Sequence, residues 1–270
     1  MSGNGTAQRS TRARLAETHL GRLVARSRPR FWLYLGGPAL VGAVWGASTV
    51  DQVLDPVVVA LVVYFLVPAN VFLYGVNDVF DADIDRENPK KAPEGREVRF
   101  EAGRDRGHVV ATALAGLLAL PFLAVLPPAG AAALLAFLLL SVEYSAPPLR
   151  FKTTPLLDSL SNGLYVLPGV VTYVAVAGTL PPLLAVLGGW LWTMAMHTYS
   201  AIPDVDADRT AGIRTTATVL GRTGALAYCV ACWLAAAVAM AALAPPLGLL
   251  FGVYPLFGAA IAARDVAVDR

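Results

Sequence analysis

The chain has 270 residues, 56% of them hydrophobic and 15% charged, with a net charge of +2. Soluble domains carry roughly 25% charged residues, and the apolar residues here come in long uninterrupted runs rather than at amphipathic spacing. A soluble globular domain is therefore excluded; no nucleic acid partner is expected, and the net charge by itself says nothing about one.

A spanning helix needs about 20 apolar residues, and backbone in hydrocarbon must pair within its own segment, which leaves helices. Residues 1–20 have little apolar content and are expected to be disordered; residues 21–270 read as one membrane domain. The tail arginines, Arg28 among them, are expected to anchor the first helix and touch anionic lipid. In chain order the eight predicted spans cover roughly 31–50, 53–76, 109–127, 129–143, 160–178, 180–201, 222–244 and 246–264.

The charges test this partition. All 21 Lys and Arg residues fall in the N-terminal tail, the C-terminal end, or the connections after spans two, four and six, with Arg222 and Arg264 as the edge residues of the last two spans. The positive-inside rule then puts both termini and those loops in the cytoplasm, and the chain in the cell membrane as a multi-pass protein.

Span two closes on Asn77-Asp78-Val79-Phe80-Asp81-Ala82-Asp83-Ile84-Asp85, and span six on Asp204-Val205-Asp206-Ala207-Asp208-Arg209. Helical residues four apart share a face, so Asn77, Asp81 and Asp85 form one stripe, which Asn70 and Tyr74 extend toward the membrane. Asp204 and Asp208 form the matching stripe. Like charges at this spacing repel unless a cation lies between them. Mg²⁺ is commonly held by a few carboxylates plus substrate phosphates, so two acidic stripes at one membrane surface suit a Mg²⁺-bridged diphosphate. An EF-hand loop is ruled out, because its glycine and glutamate positions hold Arg86 and Ala92 in the first motif and Arg209 and Thr215 in the second.

Cations surround both motifs: Arg86, Lys90 and Lys91 after the first, Arg209 after the second, and Arg150 and Lys152 after Tyr144 in the loop beyond span four. Together they favour phosphate binding, and the polar segment 86–107 suits a lid. Cys229 and Cys232 sit in an apolar run without a second pair and read as packing residues. A cation-coupled transporter would carry acidic residues near helix midpoints, whereas these gather at one surface.

The two acidic motifs, with the Tyr144 to Lys152 loop and the helix count, resemble the UbiA superfamily of intramembrane prenyltransferases. Within it, Asn77 to Lys91, Tyr144 to Gly169 and Tyr199 to Gly221 are most similar to the carotenoid branch of lycopene elongases. The resemblance implies an all-α fold of about eight to nine transmembrane helices around a central cavity under a cytoplasmic polar cap. It implies Mg²⁺ and a diphosphate held by Asn77, Asp78, Asp81, Asp85, Asp204 and Asp208. Arg86, Lys90, Lys91, Tyr144, Arg150, Lys152 and Arg209 would bind the diphosphate. The implied reaction moves a dimethylallyl group from its diphosphate onto the end of lycopene, with or without hydration; the alternative acceptor is an aromatic quinone precursor. Phe72, Tyr74, Phe80, Tyr165 and Tyr199 are aromatic candidates for stabilising an allylic cation. His197 and Asn162 are read as structural.

Overall fold

The computed structural model describes residues 21, 24, 27–81 and 106–264, and within these every regular element is helical. All eight predicted runs fold as helices: α1 (Trp32–Gly46), α2 (Pro56–Phe80), α3 (Arg106–Val125), α4 (Pro128–Glu143), α5 (Leu157–Ala177), α6 (Leu183–Ala201), α7 (Thr216–Leu243) and α8 (Pro245–Ala263). Five of them (α2, α3, α5, α7 and α8) are long and apolar enough to cross a membrane. The tail 1–20 and most of the polar segment 86–107 lie outside the described residues.

Local chemistry sets the boundaries. The Asp55 carboxylate starts α2 by accepting from the amides of Val57 at 2.8 Å and Val58 at 3.4 Å, with Pro56 at the first helical position, as an N-cap does. Pro68 then interrupts α2 at Val67, because proline has no N–H to donate and crowds the preceding turn. The Asn70 amide fills the gap, donating to the carbonyls of Phe65 and Leu66, both at 3.0 Å. Asn70 is thus fully buried and spent on its own helix, which removes it from the expected polar stripe. Helix α7 starts six residues before its predicted edge because Thr215 and Thr218 cap it reciprocally, and α7 breaks its helical pattern at Gly221, whose φ is 69°.

Two packed groups result. Helices α1, α2, α4 and α5 share a core that includes Leu35, Leu61, Phe65, Phe137, Val171 and Val174. Helices α6, α7 and α8 meet around Ala195, Trp233, Tyr254 and the free, buried Cys229 and Cys232. Membrane helices gain stability from close approach rather than from hydrophobic burial, and α1 against α5 shows it. A Cβ on Gly42 would stand 2.0 Å from the Gly169 carbonyl oxygen, and the Thr172 hydroxyl donates to the Ala39 carbonyl at 2.6 Å across the same crossing. The outer faces stay apolar, with Leu249 78% and Leu256 73% exposed on α8. Such a surface requires lipid as its solvent.

Candidate active site

The first acidic motif lies where α2 ends. Asp81 is the C-terminal cap of that helix, its amide bonded to the Asn77 carbonyl at 3.0 Å. The residue is only 3% exposed, and its carboxylate forms an ion pair with Lys152, with Arg150 3.7 Å away. Arg150 also donates to the Phe80 carbonyl at 3.1 Å, a cation at a helix C-terminus where the dipole favours it. Tyr144 starts the loop that supplies both cations, and the Lys152 amide closes that loop on the Tyr144 carbonyl at 3.0 Å. Asn77, one turn before Asp81, donates its side-chain amide to the Ser145 hydroxyl at 3.0 Å. Asp78 is buried on a different side of the helix, 3.2 Å from Arg28 and 3.6 Å from the His108 ring. Arg28 therefore does more than the expected lipid anchoring, because a buried carboxylate draws it inward. Asp85, Arg86, Lys90 and Lys91 lie outside the described residues.

The second motif follows α6 through a short 3-10 turn, Ile202–Asp204, into the short helix Val205–Thr210. Asp204 and Asp208 are half-buried, while Asp206 points outward to Arg222 at 2.9 Å. Arg209 is turned to α7: its guanidinium donates to the Thr218 carbonyl at 3.0 and 2.7 Å, one turn before the Gly221 break. Among the described residues no three His, Cys, Asp or Glu side chains gather into a complete metal-binding group. The donors that are described (Asn77, Asp81, Asp204 and Asp208) are all oxygen donors, with no soft ligand among them. The chemistry of that set fits a hard cation such as Mg²⁺.

A cavity of about 990 Å³ runs from this end into the helix bundle. Arg28, Tyr74, Asn77, Tyr144, His197 and Ser200 line its polar end. Ser200 stands one turn before Asp204, as Asn77 stands one turn before Asp81, so the ends of α2 and α6 converge on one mouth. The opposite end is apolar: Val41 and Trp45 from the far end of α1, Tyr173 from α5, and Leu247 and Phe251 from α8. Arg28 stacks over the Tyr74 ring, 4.6 Å from its centroid. Burial, reinforced by Tyr165, Asp158 and Asp81, holds the Tyr144 phenol well above its ordinary range, so it is a neutral hydroxyl.

Of the five aromatic candidates, Tyr74 and Tyr165 line the cavity. Phe72 packs against the Gly116 backbone position, Phe80 faces outward, and Tyr199 packs on Trp233 with ring centroids 5.6 Å apart. His197 and Asn162, read from sequence as structural, both line the cavity. Asp158 escaped the sequence reading. It is 1% exposed, accepts from the Thr216 amide at 3.0 Å and from the Thr216 hydroxyl, and lies 3.9 Å from the His197 ring. Its signal was a single carboxylate opening an apolar run.

Residues 35–267 match the UbiA prenyltransferase family. The chain is similar to a lycopene elongase/hydratase of Haloferax volcanii, 57% identical over 248 residues that cover 92% of this chain and 81% of that protein. It is also similar to a lycopene elongase/hydratase of Haloarcula japonica, 56% identical over 256 residues, covering 94% of this chain and 84% of its relative. Among solved structures, a UbiA homologue of Archaeoglobus fulgidus bound to DMAPP and Mg²⁺ shares the fold. Its TM-score is 0.73 at 20% identity, covering 90% of this chain and 87% of that one.

Proposed function

Since this chain belongs to the UbiA prenyltransferase family, we propose that it transfers a C5 dimethylallyl group from its diphosphate to the end of lycopene, with or without capture of water by the product cation, in C50 carotenoid synthesis. That it is a multi-pass membrane prenyltransferase follows from the family and from the apolar helices. The observation that carries the finer reading is the shape of the cavity: a polar end lined by Arg28, Asn77, Tyr144, His197 and Ser200 opening into an apolar interior. Lycopene has no polar handle, so shape and apolar contact must recognise it, and it reaches the cavity only through the bilayer. Relatives sharing over half of its residues carry the elongase/hydratase name.

In this mechanism Asn77, Asp81, Asp85, Asp204 and Asp208 would hold Mg²⁺, with Asp78 supporting the first motif from behind. When bound, Mg²⁺ neutralises charge on the departing diphosphate. Lys152 and Arg150 leave Asp81 in part for phosphate oxygens and stabilise the charge that develops as the C–O bond breaks. Arg86, Lys90 and Lys91 would bind the diphosphate, and Arg209 would join them by releasing Thr218. The neutral Tyr144 hydroxyl donates a hydrogen bond at the same end. The faces of Tyr74 and Tyr165 stabilise the allylic cation, and the apolar walls keep bulk water from it.

Residues 21–270 act as one catalytic domain whose mouth faces the cytoplasm across the cell membrane, as the Lys and Arg distribution favours. The test is product analysis by mass spectrometry after membranes are incubated with lycopene, dimethylallyl diphosphate and Mg²⁺. C45 and C50 carotenoids, absent from Asp81→Ala membranes, are the expected result. Prenylation of an added quinone precursor, with lycopene untouched, would overturn the choice of acceptor.

A further inference from the structure

Prenyl transfer to a terminal trisubstituted double bond leaves one proton to be placed. The allylic carbon bonds to the less substituted alkene carbon, and positive charge appears on the more substituted carbon beside it. That tertiary cation lies only one bond from the new C–C bond, so it forms near the polar end of the cavity, where the diphosphate departs. Ending it requires a proton acceptor there. Lys152 and Arg150 are cations, Asp81 is one of the groups that would hold Mg²⁺, and Tyr144 is a neutral phenol.

We propose that His197 is this acceptor and that Asp158 stabilises its charged form. His197 lines the cavity from α6, seven residues before Asp204. Its Nε2 is 3.9 Å from the Asp158 Oδ2. Asp158, at the start of α5, is itself held by the Thr216 amide at 3.0 Å and the Thr216 hydroxyl, which leaves its charge buried against the imidazole. Asn162 donates to the Asp158 carbonyl at 2.6 Å and borders the same cavity. The Tyr144 ring stands edge-on to His197, with centroids 6.1 Å apart, so imidazole and phenol share the mouth. A buried carboxylate 3.9 Å from an imidazole, beyond hydrogen-bonding distance, steadies the imidazolium by its charge once that forms. A purely structural tether between α5 and α6 does not need the ring to face the cavity.

The step balances in either direction. In hydration, a lone pair of a water oxygen forms the C–O bond to the tertiary carbon, one O–H bond breaks, and its proton passes to the His197 nitrogen turned away from Asp158. In deprotonation, a C–H bond next to the cation breaks, its pair becomes the new C=C bond, and the same nitrogen takes the proton. The proton then leaves through the polar mouth with diphosphate. His197 is the catalytic residue and Asp158 its positioning residue.

This inference rests on the prenyl-transfer reading, so its test counts two products at once. Membranes carrying the full chain receive lycopene, dimethylallyl diphosphate and Mg²⁺ in ¹⁸O-water, and both diphosphate and prenylated carotenoid are quantified. Wild-type protein yields one transferred prenyl group per diphosphate, with ¹⁸O in any hydrated product. His197→Gln still releases diphosphate, but carotenoid product per diphosphate falls by roughly 10²-fold, the contribution of a positioned general base, with dimethylallyl alcohol making up the difference. Asp158→Asn shifts the ratio the same way by less, and added imidazole restores it in His197→Ala. An unchanged ratio in folded His197→Gln protein overturns the assignment, as does parallel loss of diphosphate release and product in both variants. Absence of prenylated lycopene from wild type overturns the carotenoid reading and this inference with it, a failure visible before any substitution is made.

Discussion

Replacing Lys152 with methionine isolates the ion pair that ties the end of α2 to the loop after α4. The carboxylate of Asp81 is 5% exposed and the Lys152 side chain 14%, so the pair is largely withdrawn from water. Removing one partner of a buried pair costs about 3–5 kcal/mol because the other charge is stranded. Arg150 remains 3.7 Å from Asp81 and is 34% exposed, which compensates in part and brings the expected loss to about 2 kcal/mol. For a protein of this size that is a fall in Tm of about 4–8 °C. Asp81→Asn combined with Lys152→Met leaves neither charge stranded, so the double variant should recover most of the loss. The assay is thermal unfolding of detergent-solubilised protein, followed by the fraction still monodisperse on size exclusion. If Lys152→Met unfolds with wild type and the two substitutions add independently, the ion pair does not form and the argument fails.

Four further outcomes follow from the same geometry. Gly37 lines the cavity and has open space where a Cβ would stand, so Gly37→Leu should fold normally and reduce lycopene use about tenfold through crowding, with diphosphate binding by calorimetry unchanged. Gly42→Ala drives a methyl toward the Gly169 carbonyl oxygen and should cost about 1–3 kcal/mol or more, read as a lower Tm. Arg209→Met leaves the Thr218 carbonyl without its guanidinium donors and should cost about 1 kcal/mol in the same thermal assay. Chelation with EDTA should abolish prenylated product and added Mg²⁺ restore it, while the unfolding curve without substrate barely moves, since the described acidic groups already have protein partners.

The sequence by itself determined the helical membrane class, because a long apolar run in lipid has a single way to satisfy its backbone. It also located both acidic motifs at helix ends, since carboxylates are costly at membrane depth and so stand out against Leu, Val and Ala. Spacing along one helix, however, says nothing about what a side chain meets from another. Asn70 sat correctly on the stripe of Asn77 yet is consumed by carbonyls freed at Pro68. Arg28 looked like one more tail arginine, and only the packing of the α1 entrance against α2 sets it on Asp78 and Tyr74. Arg209 sat in a phosphate-binding motif, and the break at Gly221 gives its guanidinium a carbonyl on α7. The pairing of His197 with Asp158 joins residues 39 positions apart in sequence. Its cause is the crossing of α5 and α6 with the capped start of α7, a long-range contact that local composition does not encode; tertiary structure alone turned two residues from different spans into one site.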